Sequence, residues 1–180
     1  MQVRFEGFPE EKIMDTTTLR GAYRALLDAA AMVAGADDLT VAAGEWNAEQ
    51  ILAHVSIVNA VTIAAAGTVS SGANTTYDNR MALDAWTIDR VIAAGGGNAG
   101  LRDRIRAQGE ALCALAEHAL SETELDTAVP TLLLSAGTVL VDQLVPLRDL
   151  IAGLADVELP GHTAQLLALL PDTTPAPVPA

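Results

Sequence analysis

The chain contains three histidines, and their surroundings differ. His162 follows Glu158 by four residues, in Glu158-Leu159-Pro160-Gly161-His162. On a helix, positions four apart face the same way with Cβ atoms ~5–6 Å apart. A carboxylate and an imidazole so placed can reach one ion, and two ligands from one helix with a third from another is a common metal-site plan. The competing reading is a solvated first-turn glutamate, favoured there by the helix dipole, beside an unrelated histidine. His54 lies on the apolar stripe of a predicted helix, where a lone histidine reads as a buried, hydrogen-bonded core residue. His118 falls near the end of another, where a positive charge suits the dipole.

These residues need helices to position them, and the sequence supplies helices. Half the chain is hydrophobic (51%) yet only 3% is aromatic. Much of the apolar content is Ala and Leu, both good helix formers. Leu19, Tyr23, Leu26, Ala30 and Val33 recur at spacings of three and four, predicting a helix over 16–34 that starts at Asp15 and stops at Gly35. Asn47 with Gln50 reads as a capping box opening a second helix, with Ile51, Val55, Val58 and Thr62 on one face and His54 beside Val55. Residues 68–79 read as loop. A shorter helix over 79–94 carries Leu83, Trp86, Ile88, Val91 and Ile92, and Gly95-Gly96-Gly97 breaks it. No Gly-Lys-Ser/Thr follows that run, so it is a linker and not a phosphate loop. Asn98 is placed to cap a long helix to about Leu120.

The pattern then changes. Two short apolar runs, 129–134 and 138–141, flank Ser135-Ala136-Gly137 and predict a β-hairpin, with Pro130 confined to an edge or first position. A short helix over 146–154 and a final helix from about Asp156 follow, with Pro160 in its first turn. The expected fold is mainly α: a four-helix bundle with a small β-hairpin before the last helix. Residues 1–170 form a single domain, and 171–180 a Pro-rich disordered tail.

The net charge of −13 argues against nucleic acid and against an anionic membrane surface as partners. One cysteine, Cys113, excludes an intrachain disulfide and reads as an inert buried thiol. Met1 to Lys12 is polar, unlike a signal peptide, and no run of 18 apolar residues suggests a membrane span; a soluble, cytoplasmic protein is expected. Gln165, three residues past His162, is placed to orient a ligand or a substrate. Asn59 does not share the face of His54. Asp78, Asn79 and Arg80 read as a helix cap, and Trp46 as a staple of the second helix to the core.

Two segments carry a resemblance. Trp46 to Val55, with Trp and His eight apart, resembles the first signature of the DinB-like superfamily, and Glu158 to Leu166 is similar to its last-helix signature, two ligands four apart followed by x-x-Gln-Leu. The hundred residues between them suit that family's four-helix layout. The resemblance implies a divalent metal held by His54, Glu158 and His162, a ligand set similar to the branch around mycothiol-dependent maleylpyruvate isomerase. Zinc is the favoured ion, with iron or nickel served by the same donors. It further implies an open position where a thiol such as mycothiol, or water, is activated. The isomerase has a second, C-terminal domain for the thiol, whereas a Pro-rich stretch follows the bundle here, so the expectation is the broader one: a metal-dependent thiol S-transferase or isomerase-like protein acting on a small molecule. A bundle that serves as a non-catalytic binding module, with or without metal, is the alternative, and a homodimer is compatible with either.

Overall fold

The computed structural model describes residues 14–171; the readings of Met1–Lys12 and of the tail from 172 lie outside the described residues. The protein is mainly helical with one small three-stranded sheet. Helix α1 (Thr17–Ala34) buries the five stripe residues expected of it. The Asp15 carboxylate accepts its Thr17 N–H at 2.9 Å. Helix α2 (Ala48–Ser70) opens with the expected reciprocal capping box between Asn47 and Gln50. It is long and apolar enough to cross a membrane by length and composition, but 67% of its most apolar window is buried inside the protein, as in a core helix. Every residue from Ile51 to Asn59 is buried.

Helix α5 (Gly97–His118) packs between these two. Thr16 and Arg20 bond Glu117 at one end of α1, and the Tyr23 ring lies against Gly109 further along, so α1 and α5 run antiparallel. A Cβ at position 109 would stand 2.9 Å from that ring, so glycine sets the close approach of the two helices. A buried polar relay ties α1, α2 and α5 together. Tyr23 donates to Asn59 Oδ1 at 2.8 Å, and Gln108 donates to the Ser56 carbonyl at 2.9 Å. The last helix completes the core against α1.

Several expected boundaries move. The single helix over 79–94 is two: α3 (Arg80–Leu83) and α4 (Ala85–Gly95), divided at Asp84, whose carboxylate caps α4 through the Thr87 N–H at 2.9 Å. Trp86 is not core; it is 66% exposed with the Arg90 guanidinium 4.8 Å over its ring. Asn98 does not cap α5. Gly96 and Gly97, both at positive φ, turn the chain instead. A short helix, α6 (Glu122–Leu125), follows with its own capping box from Ser121.

The expected hairpin is present as β2 (Ala128–Ser135) and β3 (Thr138–Pro146). Ala136 and Gly137, at φ +47° and +77°, make the two-residue turn, whose twist matches that of the strands. The loop expected over 68–79 hides a two-residue strand, β1 (Tyr77–Asp78), which pairs parallel with Thr131 and Leu132. This makes β2 the central strand, yet Pro130 lies one residue before that pairing begins, where the flank of β2 is still an edge.

The two expected C-terminal helices are one. α7 (Leu147–Gly153) runs through a π turn (Leu154–Glu158) directly into α8 (Leu159–Leu167). Pro160 is thus the second residue of α8, just after a wide turn rather than in the first turn of a separate helix.

Candidate metal centre

Three elements meet where α2 passes the last helix. His54, on the second turn of α2, is 4% exposed, with the Trp46 ring at 4.9 Å. Its Nδ1 lies 2.8 Å from the carbonyl of Ala82. That carbonyl belongs to α3, a helix of a single turn, so no later N–H of its own helix claims it. The sheet holds α3 in place: the Asn79 side chain makes two hydrogen bonds to the backbone of Leu134, at 2.8 and 2.9 Å, and the Asp78 carboxylate accepts the Arg80 N–H at 3.0 Å. Asp78 therefore acts as the cap expected of this region, while Asn79 stitches α3 to β2.

A carbonyl can only accept, so the His54 Nδ1 carries a proton and donates it. Nε2 is the ring atom left to face Glu158, whose Oε1 stands 2.9 Å away. His162 repeats the arrangement. Its Nδ1 donates to the Gln165 Oε1 at 2.7 Å, and its Nε2 is 3.2 Å from the same Glu158 oxygen. The two imidazole rings are 4.7 Å apart. One candidate donor atom from each of the three residues lies within 4.8 Å of the others. Donors bound tetrahedrally at ~2.0–2.1 Å stand about 3.3 Å from one another, so the set is close to the spacing a single ion requires. Ligating histidines commonly donate their second N–H to a carbonyl or carboxylate, and both do so here. His54, Glu158 and His162 therefore form a group able to hold a metal ion.

Burial would raise the Glu158 carboxyl. With no ion between the three residues, protons on the two Nε2 atoms donate to Glu158, and these hydrogen bonds and charges outweigh burial and hold the carboxyl down at about 2. A bound ion would take the place of those protons. Glu158 keeps its charge at neutral pH. Its side chain is 32% exposed against 5% for His54, so the site opens to solvent on the Glu158 side. Behind it, the Tyr77 hydroxyl donates to Thr62 Oγ1 at 3.0 Å, because Thr62 itself donates to the Val58 carbonyl. Burial pushes Tyr77 up to about 12, so it serves as a neutral donor and not as a base.

All three residues expected to share an ion converge. Gln165 orients His162 as expected. Asn59 is fully buried on the Tyr23 relay, away from His54. His118 is exposed at the end of α5, 3.6 Å from Glu117. Cys113 is buried, which pushes its thiol up and makes it a poor nucleophile. Sequence reasoning missed the Ala82 carbonyl, since a backbone acceptor has no residue signature. It also missed the π turn, for which Leu154 and Leu159, five apart and followed by Pro160, are the available signal. No family model, curated protein or solved structure matches the chain.

Proposed function

We propose that the protein is a DinB-like four-helix bundle, built on α1, α2, α5 and the last helix, which binds one divalent metal ion through His54, Glu158 and His162. We propose further that it uses the ion in thiol transfer or isomerisation on a small electrophile, as in the mycothiol-dependent maleylpyruvate isomerase type. One observation carries the reading: both Nε2 atoms face a single Glu158 oxygen, while both Nδ1–H groups are already committed to carbonyl acceptors. Two neutral imidazoles and one carboxylate leave a divalent centre with a net charge of +1, and zinc, nickel or iron suits that donor set.

The residues divide the work. Ala82 and Gln165 fix which ring nitrogens point inward. Glu158 supplies the negative charge and, at the solvent-facing edge, leaves room for a further group. The buried side chains of α2 around His54 keep water from the rear of the site. A divalent ion held there would act as a Lewis acid, lowering the pKa of an incoming thiol or water so that an anionic nucleophile is present at neutral pH.

The test is spectroscopic and kinetic together. Cobalt-loaded protein titrated with a low-molecular-weight thiol is expected to develop a thiolate-to-cobalt band in the near ultraviolet, and to accelerate addition of that thiol to an activated alkene such as a maleyl compound. Ion binding with neither the band nor the acceleration would contradict thiol chemistry and favour a non-catalytic ligand-binding bundle.

A further inference from the structure

The last helix changes phase just where the candidate ligands begin. Its buried residues Leu147, Leu150, Ile151 and Leu154, with Ala155 at the margin, form an α-helical stripe. Continued at 3.6 residues per turn, that stripe is centred next on position 158, four beyond Leu154 and seven beyond Ile151. Position 158 is a glutamate. A regular helix would aim this carboxylate into the apolar core and move Leu159 to the margin. The structure does the reverse: Leu159 is 0% exposed, its N–H bonded to the Leu154 carbonyl five residues back, and Glu158 stands on the flank within reach of His162. The π turn is the difference between the two registers.

Pro160 favours that register. In a regular helix residue 160 donates to the carbonyl of Asp156. Proline has no N–H to give, and its ring presses on that carbonyl. Directly after the π turn, the missing bond is already forgone. We propose that Pro160 is a positioning residue: it holds the π register and thereby keeps Glu158 on the metal-binding flank instead of in the core. This rests on the metal reading of the site.

Pro160→Ala restores the donor and removes the clash, so part of the metal-free population takes the regular register and lacks the carboxylate ligand. Apparent affinity falls by the fraction that stays competent. With roughly half to nine-tenths of the population in the regular register, the expected loss for cobalt is about two- to ten-fold. The visible cobalt spectrum changes with it, while helicity and Tm hold or rise because Ala is preferred to Pro inside a helix. A second variant separates register from stability. Deleting the exposed Asp156 in the Pro160→Ala background removes the extra residue, so a regular helix again buries Leu159 and sets Glu158 beside His162. Cobalt affinity is then expected to return to the wild-type level. Wild-type affinity in Pro160→Ala, or no recovery on deletion, overturns the proposal. If the wild type binds no cobalt, the metal reading has failed separately. The register is then read on metal-free protein, from nuclear Overhauser contacts between the Leu159 methyls and the core; these weaken in Pro160→Ala, and unchanged contacts overturn the proposal.

Discussion

The two helices that supply the candidate ligands hold them in opposite ways. α2 is regular, doubly capped at its start and buried on every side around His54, which is anchored by a backbone carbonyl. The last helix is interrupted by a π turn, half open to solvent at Glu158, and anchors His162 through the exposed side chain of Gln165. One half of the site is thus fixed by the core and the other by local features that single substitutions can change. Stability is concentrated on the α2 side and adjustability on the other, and a binding site needs both: a rigid reference ligand and an opening through which ion and substrate arrive.

Substitutions at the ligands test this contrast most strongly. His54→Ala is expected to abolish ion uptake and also to destabilise the fold by about 2–4 kcal/mol, because a packed, hydrogen-bonded ring is removed from the core and the Ala82 carbonyl loses its partner. His162→Ala is expected to abolish uptake with a clearly smaller drop in Tm. Elemental analysis beside thermal melts separates the two, and equal Tm losses would erase the distinction between the halves.

Anchor substitutions come next. Gln165→Ala frees the His162 ring and should lower ion affinity by roughly ten-fold or more with little change in Tm. Gln165→Glu, which still accepts from Nδ1, should retain binding. Asn79→Ala removes two hydrogen bonds to Leu134 and loosens α3 behind His54. A loss of about 1–2 kcal/mol is expected, with a weaker effect on affinity than Gln165→Ala. Competition with a chromogenic chelator measures both.

The smallest expected effect is on pH dependence. The Glu158 carboxyl is held at about 2, below its ordinary value of 4.5. A carboxyl depressed by folding contributes stability above its unfolded value and loses it as pH falls through the folded one. Metal-free protein should therefore lose stability between about pH 5 and pH 2, and Glu158→Gln should flatten that part of the profile in denaturant titrations.

The regular half of the molecule is the half that the sequence makes legible. α1 and α2 follow from apolar periodicity and from capping residues at Asp15 and Asn47, because local signals there agree with tertiary packing. The hairpin is readable from its two apolar runs and its turn. β1 is not, since two residues become a strand only by pairing with Thr131 and Leu132, more than fifty positions away. The break at Asp84 is hidden because a capping aspartate resembles any surface aspartate until its Thr87 bond is seen. Trp86 misleads for a similar reason: its position fits a helical stripe, yet α4 is short and turns it outward under Arg90. In the last helix, α periodicity fails at the π turn. The Glu158–His162 pair survives that failure because both residues lie within one turn of the helix, whatever the phase before it.

The most direct measurement is the metal content of the wild-type protein, purified without chelators and reloaded with zinc, nickel or iron, beside His54→Ala and Glu158→Gln. About one equivalent in the wild type, lost in both variants, is the expected result. No bound ion in the wild type after reloading, or an equivalent that persists in both variants, would contradict a centre built from His54, Glu158 and His162.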